Sequence, residues 1–438
     1  MDLTQSLRYL DSLANFEKFT EYDYSKAYDL KRISRLLSLL DNPEKRYPTI
    51  TVSGTKGKGS TVSMLASIFN SAGIKAGALI SPHLVCVNER IKVGERHISD
   101  SEFSSEISAI RDIAARHHLP DLTYFEVITA AAFSYFSRKK VEIAVLEVGL
   151  GGRLDAVNTA RSPISAIMPV SYDHTRLLGT SLKDIAGEKC GIIHENSCVV
   201  CARQPAEVLP VVKRVVLRRR ARLILAGRDI VVSNAKTSLS GTDFDLKTKS
   251  GFYKKLHSPL RGIHQSENAA VAVSLAETAG QRFNLPISKD VVRRGLAAAD
   301  FPARFQLGLF RHRRVVLDGA QNVVSANALK KALNDIFDKR HICLILGVSS
   351  DKDYHKIVRI LCPVSRSVIF TQADTPRALP ADNLARAAGA YSKKGFVCYD
   401  LKDALTMAAA ITPEKGVIVI TGSLFLAAGA LRILDGRH

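Results

Sequence analysis

Residues 49–60 read T-I-T-V-S-G-T-K-G-K-G-S, and the reading of this stretch decides the fold. Ile50 and Val52 make a short β-run that Gly54 breaks. Thr55, Lys56, Gly57, Lys58, Gly59 and Ser60 then lead into the helical pattern T-V-S-M-L-A-S-I-F-N-S-A-G. A strand, a glycine turn carrying a lysine and a helix N-terminus together have the physical design of a triphosphate cradle. Glycines let backbone N–H groups close on phosphate oxygens, while the helix dipole and Lys58 offset the charge. The spacing G-x-x-G-K-G-S differs from the commoner G-x-x-x-x-G-K-[ST]. The alternative is an ordinary glycine-rich βα turn, which the strand-to-helix context disfavours.

With 438 residues the chain suits two or three domains. Its 46% hydrophobic and 24% charged residues are ordinary for a globular protein with sizeable cores. No apolar run is long enough to span a membrane. The opening M-D-L-T-Q-S-L-R-Y-L lacks a basic-then-apolar signal pattern, so a cytoplasmic location is expected. The seven cysteines are scattered; Cys198 and Cys201 form a C-x-x-C inside the apolar run S-C-V-V-C-A with no second pair nearby, so buried, reduced thiols are expected. The net charge of +20 calls for anionic partners: nucleic acid, or small molecules such as ATP and polycarboxylates. The densest basic run, Lys213, Arg214, Arg218, Arg219, Arg220 and Arg222, alternates with Val211, Val212, Val215, Val216 and Leu217 and reads as a solvated helix face. No aromatic interleaving supports base stacking, and neither a nucleic-acid nor a membrane partner is expected.

Taken in order, residues 1–48 read as helices. Residues 76–81 form an apolar run ending in Ser81, Pro82 and His83, followed by a charged loop, L-V-C-V-N-E-R-I-K-V-G-E-R-H-I-S-D. The S-D-S-E of residues 99–102 is a capping-box signature that starts a helix at Asp100, and a second helix covers about 124–138. Residues 142–149 and 164–170 read as buried parallel strands. A helix over 181–193 precedes the strand S-C-V-V-C-A, and residues 229–258 read as a small antiparallel insertion turning at Ser240 and Gly241. Helices at about 264–281 and 288–299 close the first part. From residue 315, five strands alternate with helices, a separate α/β layer domain. The fold expected is α/β: a P-loop-type, mostly parallel sheet domain over 1–300 with helices on both faces, and a smaller Rossmann-like domain over 301–438.

Four further clusters stand at strand ends or just beyond, where α/β sheets bind ligands. They are Ser81-Pro82-His83, the glycine loop from Glu147 through Arg153 to Asp155, the run Ser171 to Thr175 with Asp173 and His174, and Glu188-Lys189 in the following helix. Beside a phosphate cradle, a hydroxyl, a carboxylate and an imidazole suit Mg2+ bridging phosphate oxygens, or Mn2+ at least as well given the imidazole.

These stretches, together with S-G-T-K-G-K-G-S-T, I-S-P-H-L-V-C-V-N-E-R-I, T-Y-F-E-V-I-T-A-A-A-F, G-I-H-Q-S-E-N-A-A-V-A, F-P-A-R-F, L-D-G-A-Q-N and T-G-S-L-F-L-A-A-G, run in order along essentially the whole chain. In them the chain resembles the folylpolyglutamate synthase and dihydrofolate synthase family, relatives of the Mur peptidoglycan ligases. The resemblance implies an ATP-dependent amide ligase that adds L-glutamate to a pteroate or folate carboxylate through an acyl phosphate. It implies that Thr55, Gly57, Lys58, Gly59 and Ser60 hold phosphates, with Lys58 stabilising transfer, and that Ser81, Glu147 and His174 ligate one Mg2+. It also implies that Lys189 is carbamylated for a second Mg2+, with a monovalent cation such as K+ a further candidate. Asn268, Arg304 and Asp318 match ATP-contacting positions, which puts the nucleotide in an interdomain cleft. Pro82, His83, Tyr124, Phe125, Glu126, Arg153 and Asp155 are the expected substrate-side residues, Tyr124 and Phe125 stacking on a pterin or else filling the core at a helix start.

Two departures stand out. The family's D-G-A-H-N is here Asp318-Gly-Ala-Gln321-Asn322, and Gln321 cannot carry charge or shuttle a proton. Lys56 stands where many bacterial members have Asn, a mild variation, since members with Lys there also occur. A bifunctional enzyme, monomeric and with small-molecule partners only, is the favoured reading. Its rivals are a monofunctional folylpolyglutamate synthase, a Mur-type ligase acting on another carboxylate, and a basic nucleic-acid-binding ATPase.

Overall fold

The computed structural model describes residues 1–17, 28–119, 121–392 and 394–436. The part of the expected N-terminal helical region at 18–27 lies outside them; within it, helices span Leu3–Asp11 and Leu30–Leu39.

The chain forms two compact units. The first comprises Met1–Ser233, Phe244–Leu256 and Glu267–Ala299; the second comprises Asn234–Asp243, His257–Ser266 and the chain from Asp300 onward. One division thus falls at residue 300. The short segments of the second unit were expected in the first part, and they group elsewhere because they bind one another and residues beyond 300. Thr242 Oγ1 donates to Leu260 O at 2.9 Å, and Arg261 donates from Nε to Leu239 O at 2.7 Å and from Nη1 to Phe305 O at 3.3 Å.

The first unit is built on an eight-stranded sheet. Its strands are β1 (Thr49–Ser53), β2 (Ala76–Leu79), β3 (Ile91–Val93), β4 (Arg96–His97), β5 (Ile143–Glu147), β6 (Ile164–Ile167), β7 (Cys198–Cys201) and β8 (Arg222–Leu225), in the order β4-β3-β2-β5-β1-β6-β7-β8. Six of them, β2 to β8 across the centre, run parallel; β3 and β4 add an antiparallel edge. β1 is central, and all five of its residues are buried, the hydroxyls of Thr49 and Thr51 hydrogen-bonded to Ser162 Oγ and that of Ser53 to Gly151 O. Its register sets Val52 beside Glu147 on β5 and Ser53 beside Ile167 on β6, so three strand ends meet at one place.

Three expectations need correction. The loop after His83 is largely structured: Val87–Arg90 is a 3-10 turn and β3 pairs with β2, since Ile91 supplies a buried side chain. The basic run is not one helix, because the helix Leu209–Arg218 ends and Arg222 opens the edge strand β8, where an exposed charge is tolerated. Within that helix the solvated-face reading fits, with Val212 and Val216 buried and Lys213, Arg214 and Arg218 exposed. The third correction lies in the second unit, whose six-stranded sheet has the order β12 (Gln306–Phe310), β13 (Arg313–Leu317), β17 (Val417–Thr421), β14 (Ile342–Leu346), β15 (Ser367–Phe370), β16 (Gly395–Val397). The five expected strands are joined by β12, antiparallel to β13 at the edge and hidden from pattern reading by Gly308 and the cationic turn at Arg311 and His312. A three-stranded sheet of β9 (Val231–Thr237), β10 (Thr242–Lys247) and β11 (Phe252–Ser258) occupies the expected insertion. The helices Asp100–Arg116 and Tyr124–Arg138 each begin with a capping box, from Ser99 and Thr123 respectively.

Candidate active site

The helix Lys58–Ser71 starts directly after the turn that follows β1. Gly57 caps it at φ 82°, and a Cβ there would collide with Asn268 Oδ1. Gly54, at φ 145°, leaves no room for a Cβ against Met168. Both positions require glycine, for the backbone angle and for the close approach alike. The first N–H groups of the helix have no intrahelical acceptors, so they point a positive dipole end at the turn. The turn is fastened to the loop after β6. Thr55 N–H and Lys56 N–H both donate to Pro169 O, at 2.9 and 3.3 Å. Thr55 Oγ1 accepts from Ser171 N–H at 3.1 Å and donates to Ser171 O at 3.2 Å. Lys56 Nζ reaches Asp173 Oδ2 at 3.3 Å.

Glu147, at the end of β5, is buried; its Oε2 accepts from Ser81 N–H at 3.2 Å and its Oε1 lies 3.7 Å from Lys58 Nζ. Lys189 is 5% exposed and donates to Gly54 O at 3.0 Å; among the described residues no carboxylate forms an ion pair with it. Burial, with the ammonium groups of Lys58 and Lys56 adding to it, lowers its pKa to about 7 against the opposing pull of Asp173 and Asp155. A neutral, buried primary amine is a nucleophile. His174 has φ 49°, and its half-exposed ring places Nε2 3.8 Å from Asp173 Oδ1. Thus Ser81, Glu147, Lys58, Lys189, Asn268 and the glycine turn come together, with Asp173 and His174 tied to the same turn through Lys56.

The glycine loop after β5 packs on the residues around Lys189. A Cβ on Gly152 would lie 2.9 Å from both Glu188 O and Lys189 O. Arg153 N–H donates to Glu188 O at 2.9 Å, and its guanidinium donates from Nε to Glu188 Oε1 at 2.9 Å.

Several of the expected substrate residues have structural partners. Asp155 is fully buried and accepts from Leu150 N–H and Val157 N–H, both at 3.0 Å, shaping the glycine loop; burial raises its pKa to about 6, partly offset by those donors and Lys58. Glu126 is the capping-box partner of Thr123 and pairs with Arg32 at 3.1 Å. Tyr124 is buried under the Arg90 guanidinium, 5.3 Å from the ring centroid. Phe125 lies against the glycine loop, its ring 3.0 Å from where a Gly149 Cβ would stand. Next to Pro82, His83 Nδ1 accepts from Arg90 Nε at 2.8 Å, and Arg90 is fastened by Glu17 at 2.8 and 2.6 Å. Arg90, at 1% exposure, escaped the sequence reading although it lies within I-S-P-H-L-V-C-V-N-E-R-I.

Within the second unit, Asp318 follows β13 and accepts from Phe305 N–H and Ala320 N–H, both at 2.9 Å. Burial raises its pKa to about 6, and Arg304 opposes the shift. The Arg304 guanidinium lies 5.0 Å from the Phe301 ring and donates to Ala303 O at 3.0 Å. Gln321 N–H donates to Ser325 Oγ at 3.1 Å, just before the helix Val323–Ile336.

Among the described residues no three His, Cys, Asp or Glu side chains are grouped to hold a metal ion. The expected donor set is of another kind: a serine hydroxyl, one carboxylate, one imidazole and a lysine needing CO2. Ser81 and the buried Glu147 carboxylate do adjoin beside the turn, which fits a hard cation.

Residues 52–276 match the Mur ligase middle domain, and residues 303–424 match the Mur ligase glutamate ligase domain. The chain is 33% identical to the dihydrofolate synthase/folylpolyglutamate synthase of Mycobacterium tuberculosis over 440 residues, 93% of this chain and 90% of that protein. It is 32% identical to the Bacillus subtilis protein of the same name, covering 90% of this chain and 92% of the relative. Its fold superposes on the M. tuberculosis folylpolyglutamate synthase complexed with ADP at a TM-score of 0.89, with 32% identity, 99% of this chain and 98% of that one. It also superposes on Escherichia coli FolC in complex with DHPP and ADP at 0.88, with 28% identity, 100% of this chain and 98% of that one.

Proposed function

The chain belongs to the dihydrofolate synthase/folylpolyglutamate synthase family of Mur ligases, and from that premise we propose that it uses ATP to join L-glutamate to dihydropteroate and to folyl(poly)glutamates. The observation that carries this reading is the cradle itself: a glycine turn at a helix N-terminus with Lys58, Glu147 and Lys189 converging on it.

A carboxylate is a poor acyl donor, because its leaving group would be oxide. Its oxygen attacks the γ-phosphorus, ADP leaves, and the resulting acyl phosphate is attacked at carbon by the glutamate amine, releasing phosphate and a proton. The N–H groups from Gly57 to Ser60 hold the phosphates, those of Thr55 and Lys56 being taken by Pro169 O, and Lys58 follows the charge that moves onto the leaving oxygen. Asn268 packs on Gly57 and keeps the turn closed. Phe125, His83 and Arg153 line the substrate side, Arg153 offering a cation to a substrate that gains a carboxylate with each addition. Arg304 and Asp318 are the nucleotide contacts assigned to the second unit. Ser81, Glu147 and His174 would hold one Mg2+ and carbamylated Lys189 a second, supplying neutralisation of phosphate oxygens, with K+ a candidate for a further site.

The test is ADP release from purified protein given ATP, Mg2+, glutamate and either dihydropteroate or tetrahydrofolate. Turnover of both acceptors supports the bifunctional reading, turnover of tetrahydrofolate alone reduces it to folylpolyglutamate synthase, and turnover of neither refutes it.

A further inference from the structure

Lys56 lies in the glycine turn between Thr55 and Gly57. Its ammonium contacts Asp173 Oδ2 at 3.3 Å, while the other oxygen of the same carboxylate, Oδ1, lies 3.8 Å from His174 Nε2. The pair is about three-quarters buried, with side-chain exposures of 27% and 23%. It extends a run of backbone ties between the same two segments: the N–H groups of Thr55 and Lys56 to Pro169 O, and the two-way exchange between Thr55 Oγ1 and Ser171. Those ties stop at Ser171. The side-chain bridge carries the connection two residues further, to the neighbour of His174, whose left-handed backbone needs support from its surroundings.

We propose that Lys56 is a positioning residue: by pairing with Asp173 it locks the phosphate turn to the loop after β6 and so fixes where His174 stands relative to the cradle. An asparagine at position 56 could not form this ion pair. The inference rests on the nucleotide reading of the turn. Its rival is that Lys56 is a direct phosphate ligand and Asp173 merely its resting counter-ion.

The two predict opposite signs for one substitution. The probe is the non-hydrolysable analogue β,γ-methylene-ATP with Mg2+, titrated by calorimetry into wild type, Lys56→Met, Lys56→Arg, Asp173→Asn and the Lys56→Met/Asp173→Asn pair, with melting temperature as the folding control. If Lys56 positions, Lys56→Met and Asp173→Asn each weaken binding by about two- to fivefold, the range for a partly exposed ion pair. The double variant is then no weaker than the worse single one, and Lys56→Arg recovers part of the loss. The His174 imidazole NMR signals shift in both single variants. If Asp173→Asn tightens binding, or the two losses add fully, the positioning role is overturned and the direct-ligand role takes its place. Unchanged binding and unmoved His174 signals in both single variants overturn it too. Wild type that fails to bind the analogue refutes the nucleotide reading as well, so the two failures are distinct.

Discussion

Lys189 offers the sharpest test of the chemistry. Its amine sits at 5% exposure with a backbone oxygen for company, and burial with Lys58 and Lys56 lowers its pKa from 10.5 to about 7. At pH 7.5 an ordinary lysine is neutral in about one molecule per thousand, whereas a group of pKa about 7 is neutral in about three-quarters, a gain of roughly 750-fold in reactive amine. Only the neutral amine adds to CO2. Wild type given 13C-bicarbonate is therefore expected to show a carbamate resonance that Lys189→Ala lacks, growing with pH through a midpoint near 7. Lys189→Ala should lose most ligase activity and regain part of it with short-chain carboxylates. Stability supplies an independent check. Between pH 7 and 10.5 the unfolded chain holds this proton and the folded chain does not, so this group makes stability rise with pH across that window and lowers it below. The full effect is at most about 5 kcal/mol. In CO2-free buffer Lys189→Met should remove this slope and melt above wild type at pH 6. Full activity in Lys189→Ala, or parallel stability curves for Lys189→Met and wild type, would refute the reasoning.

Gly57→Ala forces a side chain into φ 82° and against Asn268 Oδ1, so it should cost about 1–3 kcal/mol in chemical denaturation and abolish nucleotide binding; an unchanged midpoint would show that the turn adapts. Asp155, with its pKa raised to about 6, holds its proton more tightly when folded, so its contribution to stability is full below about pH 4 and lost by above about pH 6. Asp155→Asn should accordingly gain on wild type by up to about 3 kcal/mol from pH 4 to pH 7 in urea titrations, and a constant difference would contradict the assigned burial. Gln321→Ala should leave the shape of the pH–rate profile unchanged, since an amide titrates nowhere in the range; loss of one limb would reveal a proton-transfer role at this position.

The strand-turn-helix core of the site was legible because its signals are local: β-branched residues, glycines at fixed offsets and a helix start. What misled was also local. The T-Y-F-E of residues 123–126 has the same capping-box spacing as S-D-S-E at 99–102, and Glu126 does accept from Thr123 N–H at 2.8 Å, a structural duty that its place in a substrate-side motif hides. Asp155 carries the same lesson: a carboxylate after a glycine loop looks available until its two N–H donors are seen. Strands β4, β8 and β12 escape pattern reading because edge strands carry charge and break the apolar pattern, and β3 because it is only three residues long with Lys92 at its centre. The pairs Lys56 with Asp173 and Lys58 with Glu147 join residues about a hundred positions apart, and no spacing rule reaches that far.

Three lysines crowd one glycine turn, and the chain's own groups must offset their charge. The structure treats each differently. Lys56 is matched by Asp173 at 3.3 Å, and Lys58 leans toward Glu147 at 3.7 Å, a distance loose enough to release it to a phosphate. Lys189, with only a backbone oxygen as its hydrogen-bond partner, meets the problem by a pKa lowered to about 7, so that it holds its proton less tightly. Conversion of that neutral amine to a carbamate adds a negative charge at the point where the other two cations most oppose a positive one. Burial, the larger cause of the lowered Lys189 pKa, opposes any charge there, but the smaller contribution of Lys58 and Lys56 disfavours the ammonium and favours the carbamate alike, so both effects should weaken together when Lys58 is replaced by Met, as a smaller 13C carbamate signal at fixed pH and CO2.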